Sequence, residues 1–283
     1  MSEDEELSIW DHVQELSSRL RRIMVALVIT MMIVMSLPAN LEKIIRLDFS
    51  DYTLLVSKII EMLQEAVLPE GVTLIAFNWL DSFYIYVIIA FTISFIICLP
   101  YVAAQVYAFL APAIYENEKK GLLVFVSMFV LLFLLGVTYA YFILIPATFR
   151  VLYQFVYQTR VMPFYSVKDF FDIISFGLVG SGLFYTFPLV IYTLVVIDII
   201  MVDDLRRMRK HLFLALAIVT AFLTPDPTPV SMLLMTIPFY ILYELTIIIL
   251  SRIMKNRPSR AIETGLQASL ELLGKTEDSN LDS

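Results

Sequence analysis

Long apolar runs alternate with short polar breaks along this chain, and the lengths of the runs carry the first information. Phe83–Leu110, Leu122–Thr148, Ile173–Ile197 and Val230–Leu250 each exceed 20 residues, the length a helix needs to cross about 30 Å of hydrocarbon. Leu20–Leu37 is just long enough. Leu212–Leu223 is short, since twelve helical residues rise only about 18 Å. The break after it, TPDPTP at 224–229, is too brief for a domain, so the fifth and sixth runs form a tight hairpin. The pattern predicts an all-α integral membrane protein of six transmembrane helices. Prolines 100, 146, 188 and 238 fall inside runs, free backbone carbonyls and bend the spans, so the bundle is expected to be kinked and concave.

Two further segments have helical periodicity. Ile9, Val13, Leu16, Leu20 and Ile23 form one apolar stripe at alternating spacings of four and three, with His12, Glu15, Arg19 and Arg22 on the neighbouring stripe. Residues 1–22 therefore read as an amphipathic helix at the inner membrane surface, bending into the first span. In the long acidic segment 38–81, Leu54, Leu55, Ile59, Met62 and Leu63 fit a stripe, predicting a helix across the outer mouths of the spans. The chain divides into one membrane domain, 1–251, and a polar tail, 252–283.

Composition supports this reading: 59% of residues are hydrophobic and mean hydropathy is +0.81, more apolar surface than a soluble core can hide. Fourteen of the 20 Lys and Arg fall on the segments that are inner if the N-terminus is inside. The positive-inside rule then places both termini in the cytoplasm and the protein in the cytoplasmic membrane. The polar first 22 residues predict no cleavable leader. A net charge of −7 argues against nucleic acid. The single Cys98 offers neither a disulfide nor a metal pair. With no glycine-rich phosphate loop, His-rich cluster or Gly-x-Ser-x-Gly, neither cofactor, metal nor enzyme activity is expected.

Four acidic residues stand out, each with two readings. Glu15 either pairs with Arg19 one turn on or meets a partner. Glu118, in FLAPAIYENEKK at 109–120, either favours a helix N-terminus or is a ligand, beside a corner set by Pro112 and the rings of Phe109 and Tyr115. Asp226 either forms the hairpin turn or serves a site. Glu244 sits inside IPFYILYELTIIIL, where a carboxylate costs about 2.5–3.5 kcal/mol; it faces the bundle interior or a cavity, either bonded or functional. An ion-coupled or proton-coupled solute transporter using Glu244 is one functional reading, although no internal repeat is visible.

Six segments in order carry a resemblance: HVQELSSRL at 12–20, YAFLAPAIYENEKK at 107–120, GVTYAYFILIP at 136–146, FYTFP at 184–188, LTPDPTPVS at 223–231 and IPFYILYE at 237–244. Together the chain resembles the TatC family, the core membrane subunit of the twin-arginine protein translocase. The resemblance implies a receptor for export signal peptides with two adjacent arginines, translocating folded cargo on proton-motive force. It implies that Glu15 and Glu118 meet the arginines, with Phe109 in the same patch and His12, Arg19, Pro112 and Tyr115 around them. Asp226 and Glu244 match family acids. With Thr186 and Thr224 they form an expected docking surface for small single-span TatA-type or TatB-type subunits, within a larger complex that includes further copies of this chain. Two positions depart from the family: Ser17 stands where an arginine is usual, and Thr186 where a glutamate is common.

Overall fold

The computed structural model describes residues 9–39, 53–68, 72–110, 119–159, 164–196, 199–223 and 228–254. Helix α1, Ile9–Ser36, joins the expected amphipathic segment and first apolar run in one uninterrupted helix. Helix α2, Leu55–Val67, is the expected helix of the long loop. Strand β1, Thr73–Ile75, leads into α3, Asp81–Leu110. Helix α4, Lys119–Tyr139, passes through a π-helical turn, Ala140–Leu144, into α5, Ile145–Thr159. Strand β2, Phe164–Ser166, precedes α6, Val167–Val196. Short α7, Val202–Arg207, is followed by α8, Arg209–Leu223, and α9, Pro229–Met254.

Among the described residues four stretches are long and apolar enough to cross a membrane: Asp81–Phe109, Gly121–Phe155, Val167–Val196 and Pro229–Ile253. They correspond to the second, third, fourth and sixth runs. Helix α8 begins three residues before the expected run but rises only about 22 Å. It pairs antiparallel with α9: Thr220 and Thr236 hydroxyls meet at 2.7 Å and Phe213 stands edge-on to Tyr240. The π turn has a local cause. Pro146 has no N–H, and its ring crowds the carbonyl four residues back. The wide turn answers this, with Ile145 N–H donating to Ala140 O, one residue beyond the α pattern.

Helix α6 is central, packed against α3, α4 and α9. Its contact with α4 depends on missing side chains. A Cβ on Gly136 would lie 2.6 Å from the Ser181 carbonyl oxygen and 2.9 Å from Tyr185 Cβ, and one on Gly182 would lie 2.6 Å from the Phe133 ring. Small residues of this kind let membrane helices approach closely. Gly136→Val is therefore expected to force α4 and α6 apart and destabilise by at least about 1–3 kcal/mol. Gly177→Ala, whose Cβ would meet only the Ile145 side chain at 3.2 Å, is expected to cost far less. Thermal unfolding of both variants in detergent checks the contrast.

A cap closes the end of the bundle where α3 and α6 begin. Val56, Leu63 and Val67 of α2 are buried in one cluster with Val34, Ile85, Ile89, Phe171 and Ile174. The buried face of α2 is thus rotated from the predicted stripe, and Met62 is exposed. β1 pairs parallel with β2, Thr73 opposite Phe164 and Ile75 opposite Ser166. Tyr84 donates to Asp172 Oδ1 at 2.6 Å, tying α3 to α6. Asp81, the first residue of α3, closes the turn before it, its Oδ2 accepting from the backbone N–H groups of Phe77 and Asn78 at 3.0 and 2.9 Å.

Candidate functional site

Among the described residues, two side-chain clusters join an acidic and a basic residue against the long apolar helices. The first joins the amphipathic part of α1 to the C-terminal part of α3. Arg19, one turn beyond Glu15, places Nε at 3.0 Å and Nη2 at 2.5 Å from Glu15 Oε1. Its Nη1 extends to Gln105 Oε1 on α3 at 3.5 Å. The grip uses one carboxylate oxygen; Glu15 Oε2 has no partner among the described residues. The Glu15 side chain is 29% exposed and that of Arg19 19%. Such a pair contributes a few tenths of a kcal/mol to a helix, so it orients Glu15 more than it stabilises α1.

Phe109 follows Gln105 by one turn of α3 and is half-buried, so a carboxylate, a guanidinium, an amide and an aromatic ring share this end of the α1–α3 pair. Pro112, Tyr115 and Glu118 lie outside the described residues, as does the side chain of His12. Spacing alone revealed Glu15 and Arg19. Gln105 was missed, although an amide in an otherwise apolar run is itself a signal.

The second cluster lies in the α8–α9 hairpin. Arg209 Nη2, at the start of α8, is 3.0 Å from Glu244 Oε2, and Tyr240 donates to Glu244 Oε1 at 2.9 Å. Both oxygens of Glu244 are thereby engaged. Arg209 Nε is buried and has no partner among the described residues. One turn of α9 lines up Tyr240, Tyr243 and Glu244, and Tyr243 OH donates to Leu205 O of α7 at 3.0 Å. Neither Arg209 nor Tyr240 was singled out from the sequence; Arg209 was counted only as an inner charge, and Tyr240 could have been found by its i,i+4 spacing to Glu244.

Thr186 is buried on α6, its hydroxyl donating to Leu183 O at 2.7 Å. No hydrogen bond joins it to Glu244 among the described residues. The two helices meet instead through rings and aliphatic chains: Phe184, Tyr185 and Phe187 against Phe239, then Ile191 and Val195 against Tyr243 and Ile247. Thr224 and Asp226 lie outside the described residues.

A cavity of about 90 Å³ lies beneath the strands, lined by Leu74, Phe149, Tyr153, Tyr165 and Phe170 among others. Burial pushes the Tyr165 phenol up from its ordinary pKa. This apolar space belongs to the cap and touches neither charged cluster. Among the described residues no group of His, Cys, Asp and Glu could hold a metal ion.

The four long apolar helices found among the described residues agree with comparison to known proteins. Residues 11–238 match the family model for the Sec-independent protein translocase protein TatC. The protein of that name from Halalkalibacterium halodurans is 29% identical over 86% of this chain and 89% of its own length. The Listeria innocua protein is 33% identical over 69% of this chain and 79% of its own. A crystal structure of the twin arginine translocase receptor TatC superposes with a TM-score of 0.69 at 26% identity, covering 84% of this chain and 98% of that one. The chain therefore belongs to the TatC family and is a multi-pass cell-membrane subunit of the Sec-independent protein translocase, not an enzyme.

Proposed function

We propose that this subunit is the receptor for twin-arginine signal peptides and the core of a translocase that exports folded proteins on proton-motive force. Six spans, with both termini in the cytoplasm, form the concave bundle. Helices α1 and α8 supply the first and fifth spans beside the four long apolar stretches. The distribution of Lys and Arg sets the orientation. The membrane domain runs through residue 251 and carries the cytoplasmic tail.

The observation that carries the receptor reading is Glu15, partly exposed and held by Arg19 through one oxygen. Its second oxygen can accept a guest guanidinium, and Glu118 is the companion for the adjacent arginine. Arginine suits the task because its planar fork grips a carboxylate and stays charged at any relevant pH. His12, Arg19, Phe109, Pro112 and Tyr115 are the further residues assigned to the binding patch. Two charge-assisted contacts contribute about 1.5–3 kcal/mol each, whereas micromolar binding needs about 8 kcal/mol. The arginines select; the peptide's apolar segment on the concave face supplies the remaining affinity.

Partner subunits of the TatA or TatB type dock along the α8–α9 hairpin, with Thr224, Asp226 and Glu244 contributing to the surface and Thr186 buried on the neighbouring α6, in a complex holding several copies of this chain. Glu244 lies ten residues before the end of α9, about 15 Å along its axis. A half-exposed ion pair at that depth calls for polar cover, which a partner helix can supply. Thr186, bonded to its own helix, gives less than the family's glutamate. The solute-transporter reading is weaker, because Glu244 is already engaged on both oxygens.

Photocrosslinking of a twin-arginine peptide to the purified protein tests recognition. Glu118→Lys is expected to remove most of the adduct; undiminished crosslinking would sink the assignment of that carboxylate.

A further inference from the structure

The turn that leads into α3 exposes a group of large apolar side chains that no packing in the cap uses. Phe77 is 66% exposed, Trp79 fully exposed and Leu80 73% exposed. The bonds from the Phe77 and Asn78 N–H groups to Asp81 hold this turn in one shape, so the rings are displayed by a braced segment. Phe83, one turn on, is 63% exposed.

We propose that this turn is a membrane anchor, and that its occupant is the phospholipid leaflet at the N-terminal end of α3. The first reason is continuity. Phe83, Phe91, Ile97 and Tyr101 are the exposed large apolar residues of α3. At about 100° per residue they fall within one sector of the helix. That sector is the lipid-facing side of a stretch long and apolar enough to cross the membrane. Leu80 lies in the same sector, so the lipid-facing stripe runs off the end of the helix into the Trp79 turn.

The second reason is chemistry. Tryptophan with phenylalanine at the end of a span suits the boundary between headgroups and acyl chains, where the ring is buried and the indole N–H stays in polar surroundings. The third is charge. Lys168 borders the same open cleft as Asn78, Trp79, Leu80 and Tyr84, with its ammonium 5.0 Å from the centre of the Tyr84 ring. A cation there is placed for headgroup phosphate. Inserted in this way, the turn seats the cap, through β1 and Asp81, on the membrane surface.

The chain has two tryptophans, so Trp10→Phe leaves Trp79 as the sole indole. The variant is reconstituted in phosphatidylcholine vesicles whose acyl chains carry bromine near the headgroup or near the chain end. We expect Trp79 to lose most of its emission with shallow bromine, less with deep bromine, and little with aqueous iodide. The difference in quenching between the unsubstituted chain and Trp79→Phe gives the same reading without Trp10→Phe. Quenching by iodide with no effect of bromine overturns the proposal by placing the turn in water. Protection from both quenchers also overturns it, by showing that protein covers the turn.

Discussion

Replacing Glu15 by lysine is expected to weaken twin-arginine peptide binding by about one to two orders of magnitude, from the loss of one charge-assisted contact of about 1.5–3 kcal/mol. Partial exposure of the carboxylate sets the result toward the lower end in moderate salt. Glu15→Gln keeps the shape and removes the charge, so its effect should be smaller. A peptide with two lysines should bind weakly to the unsubstituted protein and respond little to Glu15→Gln, because lysine lacks the planar fork. Titration of a fluorescent peptide against the purified protein measures all three. A Glu15→Lys protein that binds as well as the unsubstituted one would show that α1 contributes no carboxylate.

The second large effect concerns the hairpin. Glu244→Ala removes the carboxylate that faces Arg209, whose Nε has no partner among the described residues, beside helices built for lipid. A lone charge at that depth costs about 2.5–3.5 kcal/mol on insertion scales, and Arg209→Ala should impose a comparable cost through Glu244. Removing both should be milder than either alone, because no charge is stranded. The exchanged pair, Arg209→Glu with Glu244→Arg, should recover part of the loss. Thermal unfolding in detergent closes this double-mutant cycle. Additive single losses would mean that the 3.0 Å contact carries no coupling.

The helices were legible because apolar run length is a strong signal, and the expected hairpin needed only a short run beside a proline-rich turn. α8 starts at Arg209 rather than Leu212, since Arg209 joins the helix to reach Glu244; basic residues had been used only to orient the chain. In α2, Leu55–Ile59–Met62 and Val56–Ile60–Leu63 are both helical stripes, and tertiary contacts decided for the second. The strands could not be foreseen, because three-residue strands far apart in sequence carry no local pattern, and their pairing depends on α3, α4 and α5 bringing the loops together.

The candidate site divides in the same way. Glu15 and Arg19 are one turn apart, so their pairing follows from helical spacing. Gln105 is 86 residues from Arg19 and could join the cluster only once α1 and α3 packed. Thr186 shows the converse. Its place in FYTFP was legible, but its bond to Leu183 O depends on rotamer and packing.

The most direct test maps the adduct of the crosslinking experiment, using a peptide with its photoreactive residue directly after the arginine pair. Adducts are expected on α1 around Glu15 and on α3 from Gln105 to Phe109, lost when the arginines become lysines. Adducts confined to α8 and α9, or unchanged with the lysine peptide, would contradict the receptor reading.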